Sequence, residues 1–178
     1  MWSKTIICLH VLAAAASAQS FGVGIKAGAP ATEAFTVLQN PIVSVTETHF
    51  YTFGGYAEVR LPGGLAVELD ALYRTYEVQS VPAHSWEFPV LVKHRLLPGP
   101  IKPFFDAGVS FSHLSDIKVS TLQHVSNYGV VVGGGIEAKI AGVRFGPEIR
   151  YTGWWFKNFD GAVQTNRNQL AVLFSLGF

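Results

Sequence analysis

"YTFGGYAEVRLPGGLAVELDALYRTY", residues 51–76, decides the fold. Tyr51, Phe53, Gly55, Ala57, Val59 and Leu61 share one face, and Thr52, Gly54, Tyr56, Glu58 and Arg60 share the other. "PGG" at residues 62–64 is a tight turn, and the alternation then resumes. Leu65, Val67, Leu69, Ala71, Tyr73 and Thr75 lie opposite Ala66, Glu68, Asp70, Leu72, Arg74 and Tyr76. A period of two on both sides of a turn is a β-hairpin, here with one greasy face and one charged face.

The same alternation predicts eight strands: Phe21–Ala29, Tyr51–Leu61, Leu65–Tyr76, Trp86–Leu97, Pro103–Leu114, Tyr128–Ile140, Val143–Trp154 and Asn168–Phe178. Long connections (Pro30–Phe50, Glu77–Ser85, Ser115–Asn127, Trp155–Arg167) alternate with short ones (Pro62–Gly64, Pro98–Lys102, Ala141–Gly142). No stretch has helical period over a useful length. Long loops at one end and tight turns at the other are the layout of outer-membrane barrels, whose short turns face the periplasm. The expected fold is an all-β, eight-stranded antiparallel up-and-down transmembrane barrel over residues 19–178.

Composition agrees. Hydrophobic residues make up 49% of the 178 and charged residues only 14%, with mean hydropathy +0.29, against about 25% charged in soluble domains. Past the N-terminus there is still no run of ~18 apolar residues such as a membrane helix needs. The apolar residues are interleaved with polar ones instead. A net charge of +1 gives no basic field for nucleic acid. At the N-terminus, Lys4, the apolar run "TIICLHVLAAAA" and Ala16-Ser17-Ala18 read as a cleavable secretory signal peptide over residues 1–18. The single cysteine, Cys8, falls inside it, so the mature chain is expected to lack disulfides and thiolate metal sites.

Charge placement separates a membrane barrel from a soluble one. The chain has 13 Lys+Arg and 12 Asp+Glu. The expected strands carry Lys26, Glu58, Arg60, Glu68, Asp70, Arg74, Glu87, Lys93, Arg95, Asp106, Glu137, Lys139, Arg144, Glu148 and Arg150, all opposite the large apolar face. A soluble barrel would turn this face outward and bury the aromatics. However, aromatics cap the apolar face near both strand ends. Tyr51, Tyr73, Trp86, Phe111, Tyr128 and Tyr151 form one set, and Phe21, Phe105, Phe145 and Phe178 the other. They match two interfacial girdles. The charges then point inward, eight basic and seven acidic. They are expected to pair as a structural plug, because an eight-stranded interior is only wide enough for side chains to fill.

These segments carry a family resemblance. "GVGIKAG", "YAEVRLPGGLAVELDALYR", "SWEFPVLVKHRL", "KPFFDAGVSFSHLS", "YGVVVGGGIEAKI", "RFGPEIRYTGWW" and the final "LFSLGF" resemble small outer-membrane β-barrels of the OmpA-like and PorT-like superfamily, over essentially the whole mature chain. The resemblance implies a Gram-negative outer-membrane location. It also implies that Phe174, Leu176 and Phe178 are read by the outer-membrane insertion machinery after delivery by periplasmic chaperones. The expected partners are outer-membrane lipid and that machinery, with a monomeric barrel, no nucleic acid and no cofactor. The resemblance specifies no activity, so a structural, adhesive or surface-interaction role is the expectation, with a narrow channel as an alternative.

Two motifs bear on chemistry. "SFSHLSD" places His113 and Ser115 two apart, hence on one strand face. A hydroxyl with an imidazole base is a nucleophile arrangement, and this one resembles the His-x-Ser dyad of outer-membrane lipid A 3-O-deacylases. That family continues with Asn where this chain has Asp116. The expectation is an interfacial histidine and a loop serine rather than a catalytic pair. His49, His84, His94, His113 and His124 lack metal-ligand spacing. "GGG" at 133–135 has no following helix and reads as curvature rather than a phosphate loop.

The loop layout generates a topological prediction. Cysteine placed at Asp116 or Asp160 should react with membrane-impermeant reagents on intact cells, and cysteine at Gly63 should not. The opposite labelling pattern would reverse the orientation.

Overall fold

The computed structural model describes residues 20–32, 35–37, 51–78, 81–115, 126–156 and 163–178. The N-terminal segment read as a signal peptide lies outside the described residues, as do Asp116 and Asp160. The strands are β1 (Ser20–Pro30), β2 (Phe35–Val37), β3 (Thr52–Arg60), β4 (Leu65–Val78), β5 (Val81–Arg95), β6 (Ile101–Ser115), β7 (Ser126–Ile140), β8 (Val143–Trp154), β9 (Val163–Thr165) and β10 (Asn168–Gly177). Eight of them close a barrel in the order β1-β10-β8-β7-β6-β5-β4-β3, every pairing antiparallel. Closure is made by β1 against β10, from Gly24↔Gly177 to Pro30↔Ala171.

Short turns follow their residues. Gly63 and Gly64, at φ of 79° and 81°, turn β3 into β4 in a region that only glycine enters without strain. Ala141 and Gly142, at φ of 50° and 90°, make the two-residue turn from β7 to β8. Positive φ at both positions is the type I′ geometry that suits strand twist.

Two expectations need correction. The long loop placed at Glu77–Ser85 is mostly strand, since β4 and β5 stay paired up to Val78↔Val81. Proline at 82 and histidine at 84 hid this continuation in the sequence. The regions read as the first and last long loops also contain strand, because β2 pairs with β9 in a separate two-stranded sheet. That pairing joins segments about 130 residues apart in the chain, so local pattern carries no trace of it.

The face assignment holds along the barrel. Val131 is fully buried while its neighbour Val132 is 46% exposed. Phe21, Ile25, Phe53, Leu69, Val92, Phe105, Val130, Ile149 and Phe174 are all exposed, and the outer wall is continuously apolar. Register builds its aromatic row, since Phe53 pairs with Tyr73 and Tyr73 with Trp86. Their rings meet edge-on at 5.5 and 5.2 Å. Tyr51 stacks on Phe53 and Trp86 on Phe88 at the row's two ends. Such an exterior is stable only against lipid.

A charge on this wall tests the assignment. Leu69→Arg should destabilise the folded barrel by roughly 2–4 kcal/mol in lipid, the cost of a cation at the midplane, measured by urea unfolding in vesicles. A harmless substitution, with protein soluble without detergent, would make the charged face the outer one.

Candidate functional site

The lumen holds the chemistry-bearing residues, arranged in three layers. Near the long-loop end, Arg74 Nη1 lies 3.2 Å from Glu87 Oε1 and donates to Gln169 Oε1 at 2.5 Å. Its Nε donates to Thr52 Oγ1 at 3.3 Å. β3, β4, β5 and β10 are thereby tied across the opening.

The middle layer is the most buried. Lys26 of β1 donates to Glu68 at 2.5 Å, to Asp70 at 3.2 Å and to Glu148 at 3.1 Å. One ammonium with three donors thus meets carboxylates from two strands beyond its own. Arg150 donates through Nε to Glu148 at 2.6 Å and through Nη1 to Asp70 at 2.7 Å. Lys93 bonds the second oxygen of Glu68 and lies 4.5 Å from the centre of the Phe104 ring. Asp106 belongs to this layer by register, opposite Lys93.

At the short-turn end Arg95 joins two acids, donating to Glu58 at 2.6 Å and to Glu137 at 3.0 and 2.7 Å. Arg60 donates to Glu58 at 2.6 Å, and Arg144 to Glu137 at 3.2 Å. Lys102 and Lys139 stand on the same inward register of β6 and β7, so five cations ring this mouth with two carboxylates.

Apolar side chains fill the remaining space. Leu72, Leu91, Phe104, Val131, Trp154 and Leu173 are buried among the charges. Tyr56 lies over Gly24 and Gly177, where any Cβ would overlap its ring or hydroxyl. Those glycines let an aromatic ring lie flat against the wall at the β1–β10 seam.

Of the fifteen expected lumen charges, fourteen are buried or half-buried inside the barrel. Lys139 is the exception. It is exposed, because its inward register falls one pair from the β7–β8 turn, where the lumen has opened to water. Asp70 pairs with Lys26 and Arg150, on strands far from its own in the chain. Partnership across a barrel depends on closure and strand tilt rather than on sequence neighbours.

His113 is exposed on the outer wall near the long-loop rim, and its Nδ1 lies 3.0 Å from Ser126 Oγ. The register that pairs His113 with Ser126 across β6 and β7 makes this contact. Ser115 ends β6, and its side chain lies outside the described residues. Ser126 was missed because the pair spans a loop whose length hides the register. Phe174, Leu176 and Phe178, the residues expected to form the insertion signal, are exposed on the outer wall at the seam strand. There Phe178 N–H donates to Val23 at 2.9 Å, and Arg60 donates to the Phe178 carbonyl at 3.1 Å.

Breaking the middle layer on one side should be costly, because it strands a buried charge. Arg150→Met should lose roughly 3–5 kcal/mol. Adding Asp70→Asn should cost less than the two single losses summed. Equilibrium unfolding of the four-member cycle in detergent measures both, and strict additivity would mean that the contact carries no energy.

No protein-family model and no curated protein sequence matches the chain. Solved structures do. Neisserial surface protein A (NspA) matches at 18% identity and TM-score 0.60, covering 90% of this chain and 99% of that one. The N-terminal β-barrel domain of Pseudomonas aeruginosa OprF matches at 11% identity and TM-score 0.52, covering 88% and 97%. The outer membrane enzyme PagL matches at 17% identity and TM-score 0.52, covering 88% and 98%. At these identities the likeness establishes the fold. With the apolar exterior and the charged, filled interior, it makes this chain a small eight-stranded β-barrel of the bacterial outer membrane.

Proposed function

We propose that this barrel is a non-enzymatic surface protein with a closed lumen, serving a structural, adhesive or surface-interaction role through its long loops. One observation carries the reading. Ion pairs in the middle and short-turn layers, and the Arg74–Gln169 hydrogen bond in the long-loop layer, cross the lumen between strands that are not neighbours, and bulky apolar side chains fill the gaps between them. An interior this full argues against a continuous water path and against a bound organic substrate. Chemistry with partners then falls to the loops and the outer wall. NspA, a surface protein by name, and Ail, the attachment invasion locus protein of Yersinia pestis, have the same fold. In this reading the protein is a monomer in outer-membrane lipid, with periplasmic chaperones and the insertion machinery as its biogenesis partners. The exposed Phe174, Leu176 and Phe178 on the seam strand are the segment that machinery reads.

A second reading rests on the His113–Ser126 contact, a hydroxyl beside an imidazole on the lipid-facing rim. This is the minimum for acyl transfer from a lipid, and PagL is an enzyme on the same fold.

The two readings separate cleanly. Planar-bilayer recordings should show no conductance steps from the purified barrel, and lipid A extracted from cells with and without it should have identical masses. Discrete channel steps would overturn the closed lumen. A lipid A species lacking an acyl chain, restored by His113→Ala, would instead establish the enzyme.

A further inference from the structure

The middle layer of the lumen holds one carboxylate more than its cations balance. Lys26, Lys93 and Arg150 face Glu68, Asp70, Glu148 and Asp106. The first three acids each bond at least one of those cations. Asp106 is 2% exposed, yet neither of its carboxylate oxygens has a hydrogen-bond partner. Among the described residues no cation lies within ion-pairing distance of it. Glu148, Arg150, Lys93 and Lys26 are the charged groups that act on it across the lumen. Register places Asp106 between Lys93 on β5 and Gly133 on β7. A Cβ at Gly133 would fall 2.6 Å from Asp106 Oδ1, so glycine is what gives the carboxylate its room.

An isolated carboxylate in such surroundings is expensive unless something positive reaches it. We propose that the Asp106 carboxylate binds one monovalent metal cation, sodium or potassium, taken from solution into the lumen beside Glu148. Carboxylate oxygens are hard ligands suited to hard cations. A single positive charge is also the deficit that four carboxylates leave against three cations. A divalent cage is not formed, since among the described residues no three His, Cys, Asp or Glu side chains are grouped to hold one. The cation would complete the plug and contribute to folded-state stability by mass action.

Unfolding of the full chain in detergent micelles tests this, at fixed pH and ionic strength, as N-methylglucamine chloride is exchanged for sodium or potassium chloride. The wild-type unfolding equilibrium should shift saturably toward the folded state, about tenfold at about nine times Kd. Asp106→Asn should be flat across the exchange. Glu87→Gln, which removes a lumen carboxylate from the long-loop layer, should keep the wild-type response. A wild type indifferent to the exchange, or Asp106→Asn following it, overturns the site. Loss of the response in Glu87→Gln does so as well, because the effect would then belong to total lumen charge. Should Asp106→Asn fail to fold, sodium-23 NMR of the wild type decides. A sodium line broadened by the barrel and sharpened again by potassium supports the site, and an unbroadened line overturns it.

Discussion

A strand in hydrocarbon cannot leave an N–H or C=O unpaired, so the sheet has to close on itself. The pairing of β1 with β10 is therefore the contact on which the rest depends. Without it the barrel has two open edges, each a row of unsatisfied polar groups in lipid. Closure also creates the interior. Eight strands enclose a space that side chains have to fill, so inward polar groups are drawn into ion pairs and hydrogen bonds across it. The seam shows how these demands meet, with Tyr56 laid over Gly24 and Gly177 on the inside and Phe174 and Leu176 facing outward.

Closure brings together groups that are far apart along the chain. Lys26 reaches Glu148, 122 residues away, because β1 and β8 flank β10. Arg95 joins Glu58 and Glu137 from opposite directions. Removing one partner strands the other in a dry interior, which is why such knots hold strands in register even where an apolar filling would give comparable stability. Charge is also distributed unevenly. The short-turn mouth, with Arg60, Arg95, Lys102, Lys139 and Arg144 against Glu58 and Glu137, is basic, whereas the middle layer is acidic by one.

How much of this was legible in sequence follows from what each feature depends on. Alternation is local, and so the strands and the inward face of Glu68, Asp70 and Arg150 could be read directly. Register needs the partner strand, and the Asp70–Arg150 pair and the His113–Ser126 contact depend on it. Neither could be found along the chain, and Ser126 fell in the segment read as the loop Ser115–Asn127. Depth needs the position of the strand end. Lys139 shares the inward period with Glu137, but it lies one pair from a turn and so meets water rather than the plug. The extension of β4 and β5 to Val78 and Val81 was hidden for another reason. Proline and histidine at 82 and 84 read as loop chemistry, and in a barrel a strand can outrun its apolar pattern once it leaves the lipid.

The choice of ions over hydrocarbon for the lumen has a cause outside the folded state. An inward face of leucine and valine would fill the interior equally well, and it would make each strand apolar on both faces. Successive strands would then approach the continuous hydrophobic runs that membranes accept as helices. They would also pair edge to edge before closure. Alternation keeps a chain with mean hydropathy +0.29 free of such runs, because polar, charged or glycine positions recur every few residues along each strand. Charges that pair only after closure remain solvated until then. Their desolvation is deferred to the step at which Lys26, Arg150 and Arg95 meet their carboxylates. The plug is in this sense a feature of the unfolded chain as well as of the folded one: its polarity keeps the strands apart in water, and its pairing holds them together in lipid.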